Sequence, residues 1–127
     1  MARTNPAPPS KAGSRADACI FCRIARGEIP AEMLANNVDI AAFRDTNPQA
    51  PVHVLVIPKK HVASLDDAMD TGLLGQLLSF AAAIARQEKI SKSGYRTVIN
   101  TGKDGGQSVS HLHLHILGGR ALAWPPG

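Results

Sequence analysis

Apolar and polar positions along this chain repeat with two different periods, and each change of period marks an element. Residues 19–27, CIFCRIARG, put Ile20, Phe21 and Ile24 on one side of a short helix that Gly27 and Pro30 bring to an end. Two short strands are predicted next, over 32–35 and 40–44. The loop Asp45-Thr46-Asn47-Pro48-Gln49-Ala50-Pro51 follows, with two prolines and an Asn-Pro step that favour turns. Residues 52–57 are apolar and β-branched apart from His53, and Pro58 closes them as a strand. Ser64, with Asp67 three residues on, has the form of a helix start. A helical period then runs from about 67 to 90, with Leu73, Leu77, Phe80 and Ile84 on one stripe and Gly72 and Gly75 weakening its first turns. A strand over 96–100, a loop over 101–106 and a last strand over 111–117, stopped by Gly118-Gly119, complete the pattern. Strands linked by turns, with one long and one short helix, give an α+β domain built on an antiparallel meander of about five strands.

The 127 residues suit one domain with one core, and an apolar share of 44% is ordinary for a globular protein. Aromatic residues make up only 4%, so that core must rest on Leu, Ile, Val and Ala. Residues 1–18 carry Pro, Ser, Gly and Lys/Arg without apolar periodicity and read as a flexible tail, leaving 19–127 as the domain. No apolar run approaches the roughly 20 residues that span a bilayer, and the first fifteen residues have no apolar stretch of a secretory leader. A cytoplasmic protein without a membrane partner is expected. Of the formal charge of +4, half sits in residues 1–18, and the rest forms no cluster beyond Lys59-Lys60. A nucleic-acid surface needs a basic stripe with interleaved aromatics, so no nucleic-acid partner is expected.

The densest chemistry lies in Gly106-Gln107-Ser108-Val109-Ser110-His111-Leu112-His113-Leu114-His115-Ile116-Leu117. Side chains on a strand alternate between faces, so His111, His113 and His115 share one face, about 6.5–7 Å apart, and the aliphatic residues supply the other. Imidazole serves as nucleophile, acid, base or metal ligand near neutral pH. Gly105 and Gly106 allow main-chain N–H groups to converge on an anion, and Gln107 and Ser108 add side-chain donors. Asp45, Phe21 and Phe43 read on their own as a turn-former and two core residues.

His111-Leu112-His113-Leu114-His115-Ile116 resembles the signature of the histidine triad superfamily. CIFCRI, EIPAE, FRDTNPQAPVHVLVIPKKH, GYRTVINTGKDGGQSVSHLHLHILGGR and the terminal Trp124-Pro125-Pro126-Gly127 extend the likeness over most of 19–127, toward the nucleotide-binding Hint branch. The resemblance implies a purine nucleoside phosphoramidate hydrolase that releases AMP or GMP from an amine through a nucleotidylated histidine. His113 would be the nucleophile and His115 a phosphate contact. His111 would orient the nucleophile through its carbonyl, and Ser108 would stand near the leaving group. His53, Asn100, Gly106 and Gln107 would complete the phosphate site, with Asp45 on the ribose hydroxyls. Ile20, Phe21, Ile24 and Phe43 would form the purine slot; Thr46 stands where relatives carry an aliphatic residue. The resemblance also implies a homodimer with a continuous sheet, Trp124 reaching toward the partner's site, and no cofactor needed for catalysis. Alternatives are a dinucleoside polyphosphate hydrolase or phosphorylase, and a nucleotide-binding regulatory protein with incidental hydrolysis.

Cys19 and Cys22 form a Cys-x-x-Cys pair. Such a pair supplies half of a tetrahedral zinc site, with His61 and His111 as candidates for the other half, or else two small buried apolar side chains. Some histidine triad relatives carry a structural zinc in this arrangement. A redox role is disfavoured, because no βαβ pattern surrounds the pair.

Overall fold

The computed structural model describes residues 18–127; the tail expected over 1–18 lies, except for its last residue, outside the described residues. Helix α1 (Ile20–Ala25) leads to strands β1 (Met33–Asn36), β2 (Ile40–Arg44) and β3 (Val52–Pro58). A 3-10 turn (Leu65–Asp67), helix α2 (Thr71–Gln87) and strands β4 (Tyr95–Val98) and β5 (Leu114–Gly118) follow. The fold is α+β with one five-stranded antiparallel sheet, as expected, but its order is β1-β2-β3-β5-β4. Only the first three strands form a plain meander. Helix α2 then crosses one face and delivers the chain to the far edge, so β4 lies outermost and β5 returns into the gap beside β3.

Strands β2 and β3 are apolar at nearly every position because both faces of the sheet are covered. On one face Ile40, Ala42, Val54, Val56, Leu114 and Ile116 pack with Leu77, Ala81, Ile84 and Ala85 of α2. On the other, Ala41, Phe43, Leu55 and Ile57 meet Phe21 and Ile24 of α1. Leu73 and Phe80, expected on the buried stripe of α2, are only partly buried at its margin. Ala81 and Ala85 take the centre, where small side chains let the helix approach the strands.

Helix α2 starts at Thr71 rather than near residue 67. Its cap is Asp70, whose Oδ1 accepts the Leu73 N–H at 3.1 Å. The Ser64 hydroxyl instead donates to Asp67 Oδ2 at 2.8 Å and closes the separate 3-10 turn. At the other end Lys89 adopts φ 63°, and the Lys89 and Ile90 N–H groups bind the Arg86 and Ala85 carbonyls. Ile90 then folds back into the core, so the apolar period outlasts the helix. It packs on Gly118, where an added Cβ would lie 2.7 Å from Ile90 Cδ1. Among the described residues no helix is long and apolar enough to cross a membrane.

Candidate active site

The register of the sheet assembles the site. Phe43 lies opposite Leu55, and Leu55 opposite His115, giving one row across β2, β3 and β5 on the α1 side. The last strand begins at Leu114, not at 111. Pro58, the end of β3, has no N–H to offer a longer ladder, and its carbonyl instead accepts His111 Nε2–H at 2.8 Å. Residues 111–113 still alternate: Leu112 enters the α2 core and His113 is buried on the opposite side, in contact with Phe21.

A cavity of about 300 Å³ opens over this row. Ile20, Phe21, Ile24, Phe43 and Leu55 form its apolar part, with Phe21 and Phe43 edge-to-face at 5.7 Å, while Asp45, Ser108, His113 and His115 bring polar groups to it. Thr46 also lines it, as do Ile29, Pro30, Ala31 and Val109, none of which the sequence reading picked out. Leu55 could have been found, since it follows His53 by two residues on one strand and must share its face. A larger hollow of about 460 Å³ beneath residues 60–70 holds none of the triad.

The hydrogen bonds of His113 define its chemistry. Its Nδ1 lies 2.7 Å from the His111 carbonyl oxygen. A carbonyl only accepts, so Nδ1 carries the proton and Nε2 keeps a lone pair. Burial holds His113 below the ordinary histidine range, against the opposing pull of the His111 carbonyl and Asp45. His115 is pushed down to about 4, by burial first and then by His113 and His53, with Asp45 opposing. His53 is lowered by burial against the pull of Asp45. Its Nε2 lies 2.9 Å from His115 Nδ1 and 3.4 Å from Asp45 Oδ2. Asp45 is also a turn-former, because its Oδ1 accepts the Asn47 N–H at 2.8 Å.

These shifts link stability to pH. His111 is likewise pushed down to about 4, by burial first, with the Pro58 carbonyl opposing. Between pH 6.5 and 4 the unfolded chain therefore binds protons that the folded chain refuses, so stability is complete above pH 6.5 and falls as the solution is acidified toward 4. Thermal melts should show a lower Tm at pH 4.5 than at pH 7; equal values would mean that these rings are not held neutral.

The flanking residues divide. Ser108 is exposed and lines the cavity, and Gly106 has φ +79°, a conformation that suits glycine. The Gln107 amide bridges loops: Nε2 donates to the Ala63 and Val109 carbonyls at 2.7 and 2.9 Å, and Oε1 accepts the Gly102 N–H at 3.0 Å. Asn100 is half-buried just beyond β4 and is not part of the cavity wall. Trp124 is 80% exposed, with the Arg96 guanidinium 5.9 Å above its ring.

Next to the cavity a second cluster brings together Cys19, Cys22, His61 and His111, with their ligand atoms all within 4.8 Å of one another. The two cysteines are not joined by a disulfide. Cys19 Sγ lies 3.3 Å from His111 Nδ1, and Cys22 Sγ lies 3.4 Å from His111 Nδ1 and 3.2 Å from His61 Nδ1. Because His111 Nε2–H is given to Pro58, its Nδ1 lone pair points at the sulfurs. Tetrahedral zinc with bonds of about 2.3 Å to sulfur and 2.0 Å to nitrogen sets adjacent S and N about 3.5 Å apart, close to this spacing. One residue thus faces two ways: His111 gives its ring to this cluster and its carbonyl to His113.

A family model described as the HIT domain matches residues 26–122. The chain belongs to the HIT family. An uncharacterised HIT-like protein of Synechococcus elongatus is 57% identical over 110 residues, covering 85% of this chain and 96% of that protein. The crystal structure of a HIT family hydrolase from Legionella pneumophila superposes with a TM-score of 0.84 at 51% identity, covering 86% of this chain and 99% of the other. The histidine triad nucleotide-binding protein of Candida albicans gives 0.75 at 32% identity, with 85% and 83% covered. The family match takes in His53, Asp45, the Gly-Gln-Ser loop and all three histidines of the triad, whereas Cys19, Cys22 and Trp124 fall outside it.

Proposed function

We propose that this HIT protein hydrolyses nucleoside phosphoramidates, releasing a purine nucleoside monophosphate from an amine. The observation that carries the reading is the fixed tautomer of His113: a neutral imidazole with its lone pair on Nε2, beside a cavity with an apolar slot and a carboxylate at Asp45. The purine would lie against Phe21, Ile24 and Phe43, and the ribose hydroxyls would donate to Asp45. Nε2 of His113 attacks the α-phosphorus, the P–N bond breaks, and the amine leaves with a proton that Ser108 relays from solvent. Water then cleaves the phosphoimidazole, giving the monophosphate and restoring His113. The names of the Legionella and Candida relatives, a hydrolase and a nucleotide-binding protein, agree with this chemistry.

Two further parts belong to the proposal. Cys19, Cys22, His61 and His111 would hold a structural zinc, whose chemistry is to fix four ligands in place; the reaction itself needs no cofactor. The protein would act as a homodimer joined near the β4 edge, where the exposed Trp124 lies over Arg96, available to a partner's site.

The leaving group is the sharpest test. A polyphosphate leaving group needs cations, and Arg44, among the described residues the one Lys or Arg on the cavity wall, is engaged by Glu88 at 2.8 Å and Glu32 at 3.1 Å. An adenylated amine should exceed a diadenosine polyphosphate in kcat/KM by about 10²-fold or more, on the scale of one well-placed proton donor. A faster polyphosphate would move the chain to that other hydrolase class, and binding without turnover of either would leave a nucleotide-binding protein.

A further inference from the structure

We propose that the main-chain amide of Gln49, held in place by Arg120, sets the ring tautomers of His53 and His115, so that His115 turns an N–H rather than a lone pair toward the substrate phosphate. The phosphate in this statement rests on the function proposed above; the tautomers rest on geometry alone.

The Gln49 main-chain N–H donates to His53 Nδ1 at 3.0 Å. An amide nitrogen only donates, so His53 Nδ1 is the bare nitrogen and its proton sits on Nε2. That Nε2–H faces His115 Nδ1 at 2.9 Å and Asp45 Oδ2 at 3.4 Å. Two N–H groups cannot point at each other, so His115 Nδ1 is also bare and its proton sits on Nε2, across the ring from His53. His115 lines the cavity, with its ring 5.0 Å from that of His113. The two neighbouring rings therefore carry opposite settings: His113 offers a lone pair on Nε2 and His115 a proton. One attacks and the other steadies a phosphoryl oxygen. The burial that keeps both His53 and His115 neutral preserves the arrangement, since a second proton on either ring would break it.

Asp45, His53 and His115 have ligand atoms within 4.8 Å of one another, a grouping that could receive a divalent metal. A histidine that ligates through Nε2 must donate from Nδ1, yet His53 Nδ1 is already turned to an N–H. His53 and His115 are a hydrogen-bonded pair, with the Asp45 carboxylate beside them at 3.4 Å.

Arg120 anchors the start of this chain. Its Nη2 donates to the Gln49 carbonyl at 2.9 Å and its Nη1 to the Ala121 carbonyl at 3.0 Å, tying the 45–51 loop to the segment after β5. Gln49 is exposed, and the Arg120 clamp ties its peptide to the segment after β5 while its amide faces His53. Arg120 and His53 are thus positioning residues, acting through His115.

Long-range ¹H–¹⁵N correlation spectra of the full chain at neutral pH read the tautomers directly. Wild type should show His53 and His115 protonated on Nε2 and His113 on Nδ1. His53→Leu should put His115 into a mixture of tautomers and lower kcat on an adenylated amine roughly 10²-fold with little change in KM. His53→Gln, whose amide nitrogen reaches the same place as Nε2, should keep the His115 setting and recover most of that loss. Arg120→Leu should mix the His53 tautomers. A wild-type His115 protonated on Nδ1, or one unmoved in His53→Leu, overturns the proposal, and an unmoved His53 in Arg120→Leu overturns the clamp. Should His53→Leu not fold, the wild-type, His53→Gln and Arg120→Leu spectra decide alone. Correct tautomers with no turnover of phosphoramidates would reject the proposed function and leave the tautomer assignment standing.

Discussion

Replacing His113 with glycine should abolish turnover, by about 10⁴-fold or more, while the nucleotide should still bind. Loss on that scale, about 5 kcal/mol at 1.36 kcal/mol per decade, is what the proposed covalent route requires when its nucleophile is removed. The contacts expected to hold the ligand lie elsewhere: Phe21, Ile24 and Phe43 for the base, Asp45 for the ribose, and Ser108 and His115 for the phosphate. Binding of the monophosphate should therefore stay within about tenfold by calorimetry, since none of those groups is removed. Mass spectrometry of quenched wild type should show a nucleotidyl adduct on the peptide containing His113. Turnover close to wild type in the glycine variant would place the nucleophile elsewhere.

Chelation should produce the second large effect, on stability. A metal bound at a thousandfold excess over its dissociation constant adds about 4 kcal/mol to the folded state. For a domain of this size that corresponds to a Tm shift on the order of 15 °C. A strong chelator should lower Tm by that amount, and Cys22→Ser should reproduce the loss without chelator. Elemental analysis of protein never exposed to chelator should give one zinc per chain. Absence of metal, or a Tm indifferent to chelation, would reduce the four residues to a thiol–imidazole cluster. Because the His111 carbonyl also holds the His113 ring, turnover should decline only as the fold loosens.

Much of the site could be read from the chain because alternation is a local property. His113 and His115 needed only a period of two to be placed on one face, and Leu112, Leu114 and Ile116 on the other. The order of β4 and β5 was not readable, since a strand's pattern states which side is buried and not which strand lies beside it. The start of α2 was missed because Ser64 with Asp67 has the spacing of a capping box, yet that pair closes a separate 3-10 turn and the helix is capped by Asp70. The ligand types at Cys19, Cys22, His61 and His111 were legible. Their grouping came from ligand type and resemblance and not from any local period, for 39 and 89 residues separate Cys22 from its two imidazole neighbours, and the structure brings the same four together. Gln49 and Arg120 left no signal at all, since one acts through its main chain and the other lies 71 residues away.

The position of β5 has a consequence for how the chain acquires its shape. Strands β1 to β3 pair with sequence neighbours and can form hairpins early, whereas among the described residues β4 pairs only with β5. During synthesis a ribosome would hold a half-sheet, its β3 edge open, until residues 114–118 emerge. Pairing Val56 with Leu114 closes a long loop, the kind of distant contact that slows folding. The strand that completes the sheet also carries His115 and directly follows His113. A nascent chain therefore lacks the His113 and His115 wall of the cavity until the strand that completes the sheet has emerged.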